Sequence, residues 1–174
     1  LKSLNPYIDV RPRLEIIQGD KHATALTNRL RFGVKSGKVF DLTNWFIKME
    51  ATHVQGLVTR FSNDSSSSFA RINDPNRTTI SEAYVIYKRN AQKWTLGQKR
   101  LKLADGRFLG DSNWRQTAQS FGLVKVQDFL SFDQLNWGVS YLYNRQGSIS
   151  SLDQHFSKGS YLVDATYTGF NQHK

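Results

Sequence analysis

Apolar and polar residues change places at every second position in eight stretches of this chain, a period that fits β-strands and no other regular element. The clearest stretches are Leu26 to Lys35 and the run from Leu135. In the first, Leu30, Phe32 and Val34 alternate with Arg29, Arg31 and Lys35. In the second, Leu135, Trp137, Val139, Tyr141 and Tyr143 oppose Asn136, Gly138, Ser140 and Asn144. Strands are also predicted over Val10 to Gln18, Thr43 to Val54, Thr79 to Lys88, Trp94 to Leu103, Arg115 to Phe129 and Tyr161 to Thr168. The parity of the Trp94 to Leu103 stretch is ambiguous. No segment carries a helical period of useful length, so the chain is all-β.

The connections between strands follow their own rhythm. Gly19 to Ala25, Gly56 to Thr78, Ala104 to Trp114 and Arg145 to Lys158 read as longer loops. Turns at Ser36-Gly37-Lys38, Asn90 to Lys93 and Ser131 to Gln134 fall between them. Longer loops on every second connection are the habit of an outer-membrane barrel, whose two rims face different compartments. The expected fold is an antiparallel up-and-down transmembrane β-barrel in a single domain. Eight strands are present, as part of a porin-type barrel of about 16–18 strands.

Composition sharpens this picture. The chain of 174 residues carries a formal charge of +10 and is 13% aromatic, and it holds no cysteine, so disulfides and thiol chemistry are excluded. No apolar run approaches the roughly 18–20 residues of a membrane helix, the longest being Ala83 to Tyr87. The aromatics Trp45, Phe46, Tyr87, Trp94, Tyr141, Tyr143, Tyr161 and Tyr167 gather near strand ends, where an interfacial girdle would lie. The opening at Leu1, without a basic-then-apolar leader, reads as a processed form or a piece of something larger. The polar ending after Phe170, where a barrel's final strand would finish on an aromatic, reads as truncation, with the chain supplying the N-terminal portion of such a barrel.

The cations fall on the polar parity of strands. Arg29, Arg31, Lys35, Lys48 and Lys125 do so directly, and Lys99, Arg100 and Lys102 read as mid-strand. A charge facing lipid at mid-membrane costs about 2–4 kcal/mol, so these side chains are expected to line a watery lumen and draw in anions. Glu15, Glu50, Glu82, Asp128 and Asp164 lie on or near the same strands and are expected to pair with some of them.

Other chemistry is thinly represented. The four histidines lack zinc-ligand spacing, and neither a nucleophile elbow nor a phosphate-cradling glycine loop occurs. No enzyme activity, cofactor or metal is expected. Asn63-Asp64-Ser65 and Asn76-Arg77-Thr78 match the glycosylation pattern, which arises readily by chance.

The runs Thr95 to Leu101, Asp105 to Gly110 and Asn113-Trp114-Arg115-Gln116 together resemble the alginate-export family of Gram-negative outer-membrane porins. The specific part of the likeness is Leu96 to Gln116. The resemblance implies a barrel of about eighteen strands with an arginine- and lysine-lined passage for an acidic polysaccharide such as alginate, or for other anions. It also singles out Arg100, Arg107 and Arg115 for pore-side or loop-anchoring roles.

The expected function is thus a passive channel in the outer membrane of a Gram-negative bacterium. Arg29, Arg31, Lys48, Arg100, Arg107, Arg115 and Lys125 would supply its attractive charge, with Glu50 and Glu82 orienting them. Its expected partners are an anionic solute or polysaccharide together with outer-membrane lipid and lipopolysaccharide. One alternative is a closed eight-stranded barrel with an adhesive or structural role, recognisable by pairing of its first and last strands. A soluble nucleic-acid-binding β-domain is the other; the separation of aromatics from cations on opposite parities argues against it.

Overall fold

The computed structural model describes residues 4–37, 44–62, 68–128 and 134–167. It contains eight strands: β1 (Leu4–Ile17), β2 (Ala23–Ser36), β3 (Trp45–Arg60), β4 (Arg77–Arg89), β5 (Gln92–Lys99), β6 (Ser120–Gln127), β7 (Leu135–Gln146) and β8 (Gln154–Tyr167). Each pairs antiparallel with its sequence neighbour, giving one up-and-down sheet in the order β1 to β8. β1 and β8 are its two edges and do not pair with each other. The closed eight-stranded alternative is therefore not what these strands build. Pro6 and Pro12, which lack a ladder donor, both lie on the edge strand β1.

The sheet is strongly curled. Neighbouring strands sit about 4.8 Å apart, so β4 and β7 in a flat sheet would be separated by about 14 Å. Instead Gln146 of β7 hydrogen-bonds the Thr79 hydroxyl of β4, and Arg77 of β4 reaches Asp153 beyond β7 at 2.6 Å. The curl closes over the polar face and leaves the apolar face outside. On β2, Arg29 is 3% exposed whereas Phe32 is 58% exposed. On β7, Gly138, Ser140 and Leu142 are buried, while Trp137 and Val139 are half-buried and Tyr141 is exposed. This is the reverse of a water-soluble sandwich.

Register aligns the outer face into apolar rows. Ile47, Val85, Leu96, Val124, Tyr141 and Tyr161 are successive cross-strand partners from β3 to β8. Beside them run Trp45, Tyr87, Trp94, Val126, Val139 and Val163, with the Trp45 and Tyr87 rings 4.7 Å apart. Aromatic and β-branched pairs of this kind hold register.

The connections depart from the expected lengths in several places. Those at one rim span 18–22, 61–76, 100–119 and 147–153; those at the other span 37–44, 90–91 and 128–134. The two longest share a rim, but the β7–β8 connection is far shorter than the predicted Arg145 to Lys158 loop. Residues from Gln154 onward are already strand. β6 begins at Ser120, not at Arg115, so the β5–β6 connection is longer than expected. β5 ends at Lys99, which puts Arg100 and Lys102 beyond the strand rather than within it. The glycosylation pattern at Asn63 and the tail around Phe170 lie outside the described residues.

The parity of the Trp94 to Leu103 stretch is unreadable because Leu101 and Leu103, past the end of β5, share the parity of Thr95 and Lys99. Within β5 the unusual position is Gly97. Its φ of 121° is open only to glycine, and a Cβ there would collide with the Ala83 carbonyl oxygen of β4. Gly97→Ala is expected to lower stability by about 1–3 kcal/mol, read as a shift in the denaturant midpoint of tryptophan fluorescence.

Candidate functional site: the polar inner face

Strand periodicity explains why the polar groups converge. The odd residues of β1 and β2 and the even residues of β3 point to the same side, and register sets them in rows. Arg11 faces Arg29, Asp9 faces Arg31, and Gly33 faces Glu50, which in turn faces Glu82 on β4.

At the centre lies a carboxylate–cation network. Glu50 and Glu82 are both buried. Lys48 ion-pairs with both, at 3.6 Å to Glu50 and more closely to Glu82. Arg100 contacts Glu50 closely and Glu82 at 3.2 Å, and its backbone N–H also donates to Glu82 at 3.2 Å. Arg31 approaches Glu50 at 3.6 Å. The Tyr7 hydroxyl donates to Glu50 at 2.5 Å and the Ser81 hydroxyl at 2.8 Å. Two carboxylates facing each other across strands would repel; intercalated cations make the arrangement favourable.

A second cluster occupies β1 and β2. Arg29 pairs with Asp9 at 2.5 Å, while its Nε and Nη1 atoms are buried without a hydrogen-bond partner among the described residues. Arg13 bridges Glu15 and Asp74, the latter at 2.8 Å. Arg31 also donates to the Asn113 side chain at 3.0 Å.

A third lies along β5 and β6. Lys93, Lys99 and Lys125 share an inner-face cavity of about 220 Å³ with Thr95, Arg100 and Gln127. Lys125 pairs with Asp164 of β8 at 2.6 Å, whereas Lys93 and Lys99 have no acidic partner within ion-pair distance among the described residues. Lys99 instead sits over the Tyr84 ring at 5.0 Å.

The β5–β6 connection crosses this face. Its base packs Leu101 and Leu109 against Phe121, Leu123 and Leu142. Its far part reaches β1 and β2, where Gln116 is fully buried. The Arg115 guanidinium stacks on the Trp114 ring at 3.9 Å and lies 4.0 Å from Glu15. Burial lowers the pKa of Arg115, while Asp74 and Glu15 act in the opposite direction.

Most expected residues are on this face: Arg29, Arg31, Lys48, Glu50, Glu82 and Lys125 from the strands, with Arg100 and Arg115 from the connection. Arg107 is not among the convergent groups. It lies exposed after the short 3-10 turn Ala104–Gly106, with no ion-pair partner among the described residues. Asp128 also departs from expectation, because its carboxylate accepts the Trp137 N–H at 3.1 Å and closes a turn instead of pairing with a cation. Sequence reasoning missed Tyr7, Arg11, Asp74, Lys93 and Gln116. The parity of Arg11 with Arg13 and Glu15 was a usable signal; loop residues Asp74 and Gln116 gave none.

Known protein families and curated proteins contain no match to this chain. Among the described residues no cluster of histidine and acidic side chains is arranged to hold a metal ion.

Proposed function

We propose that this chain forms the wall of an outer-membrane channel through which anionic solutes, or an acidic polysaccharide such as alginate, pass without covalent chemistry. The reading rests on one observation above all: the apolar parity of the clearly alternating strands is outside, and the inward parity is polar or small, carrying Arg29, Arg31, Lys48, Glu50, Glu82 and Lys125. Such a surface suits hydrocarbon outside and water inside. The two free edges suit it too, provided further strands pair with β1 and β8, because a bilayer tolerates no open ladder. In this reading the partners are the anion and the lipid and lipopolysaccharide around the wall, and the family is that of the alginate exporters.

The local charge balance narrows which residues attract the anion. Arg31, Lys48 and Arg100 spend their charge on Glu50 and Glu82, and Arg13 spends its own on Glu15 and Asp74. Lys93 and Lys99 have no carboxylate within ion-pair distance among the described residues. They carry the attractive field, supported by the free donors of Arg29.

The test is reversal potential in planar bilayers across a salt gradient. The full-length protein should favour anions, and the double substitution of Lys93 and Lys99 by glutamine should move the permeability ratio toward unity. Cation preference in the unaltered protein would reject the reading.

A further inference from the structure

We propose that residues 111–119 are held inward by a permanent latch of Arg11, Asp74 and Gln116, making this segment a fixed constriction instead of a swinging gate. Its effect on conduction rests on the channel reading above; the latch itself does not.

Gln116 is the centre of the latch. Its side-chain amide donates to the Arg11 carbonyl at 3.2 Å, to the Thr27 carbonyl at 3.2 Å and to the Thr27 hydroxyl at 2.8 Å. Its side-chain oxygen accepts from Arg11 Nε at 3.1 Å, and its backbone N–H donates to Asp74 at 3.0 Å. Every polar atom of the side chain is thereby used in a fully buried setting.

Arg11 completes the clamp from β1. Besides Gln116 it binds three successive carbonyls, those of Asn113 (3.0 Å), Trp114 (3.3 Å) and Arg115. A planar fork spread over consecutive carbonyls fixes both position and orientation. Arg13 adds a bond to the Trp114 carbonyl at 3.3 Å and holds Asp74 in place. The anchors thus come from β1, β2 and the 61–76 connection. Within the segment, Asn113 N–H donates to the Asp111 carboxylate at 3.1 Å, and Gln119 N–H donates to the Asp111 carbonyl at 2.5 Å. A segment closed on itself and tied to three elements moves as part of the wall. Arg11 and Gln116 are accordingly positioning residues, spent on the loop rather than on the solute.

Limited trypsin digestion of the full-length protein, folded in detergent micelles, tests the latch without requiring conduction. Arg107 is exposed and serves as the internal standard, whereas cleavage after Arg115 requires the segment to lift. In the unaltered protein cleavage should occur after Arg107 and be suppressed after Arg115. Gln116→Leu should raise the Arg115 cut relative to Arg107 by roughly tenfold, as expected when buried hydrogen bonds that hold a segment closed are removed. Thr27→Val, a milder change, should give an intermediate rise and serves if Gln116→Leu does not fold. Equal cleavage after Arg115 in the unaltered protein and in the folded variants overturns the latch.

Bilayer recording then separates the two claims. Raised mean conductance and open-channel noise in the variants support the constriction. Increased cleavage with unaltered current overturns the constriction. Increased cleavage when no protein conducts, the unaltered one included, upholds the latch and removes the channel reading.

Discussion

Glu50→Leu is expected to lower the unfolding free energy by about 3–5 kcal/mol, the range for breaking a buried ion network by removing one partner. Glu50 is 4% exposed and accepts from Tyr7 and Ser81 while facing Arg31, Lys48 and Arg100. Leucine has similar bulk, so the loss would be electrostatic: three cations would face one another with Glu82 alone between them. Glu50→Gln keeps an acceptor for Tyr7 and Ser81 and should lose less than leucine does. The denaturant midpoint of the folded protein measures both. A shift under about 1 kcal/mol for leucine, the scale of an exposed pair, would mean that water and not Glu50 neutralises these cations.

Leu96→Arg should cost about 2–4 kcal/mol when the protein is folded into bilayers, because Leu96 lies in the middle of the outer apolar row on an interior strand. In an aqueous setting the same change would be nearly free. Leu96 is 53% exposed, and substitutions at such surfaces usually stay within about 0.5 kcal/mol. Phe108→Arg provides the control, since Phe108 is 87% exposed on the β5–β6 connection and away from the apolar rows. Equal stability of the two variants in bilayers would refute a lipid-facing exterior.

Strand identity and facing were legible where alternation was unbroken. Leu30 and Phe32 against Arg29 and Arg31 sufficed for β2, as did the run from Leu135 for β7. Legibility failed where a predicted stretch overran its strand or where both faces are polar. The stretch predicted for β5 ran past Lys99 into Arg100 to Leu103, where the apolar and polar parities change over, so a rule of two could not assign its sides. The start of β8 (Gln154-His155-Phe156-Ser157-Lys158-Gly159) is polar enough to read as loop; only Gln154 and His155 pair with β7 there, and the register shifts before the ladder resumes at Ser160. Charge pairing was partly legible, because cross-strand carboxylates and cations on one parity must meet. Which cations would remain unpaired was not, since that depends on register across three or more strands. The path of the β5–β6 connection was beyond reach. Gln116 meets Thr27 through a contact of 89 residues' separation that no local pattern encodes.

The inner-face cations of β5 that lack an acidic partner among the described residues, Lys93 and Lys99, are lysines, not arginines, and this bears on how long a traveller would stay. A guanidinium fork grips a carboxylate at two points, whereas an ammonium on a supple four-carbon stem keeps its water and offers a single, easily exchanged contact. Swift transit demands shallow wells in series. With Arg31 and Arg100 paired to the wall's own carboxylates and Arg11 to its carbonyls, an acidic cargo would be handed along Lys93 and Lys99 and released, not stored.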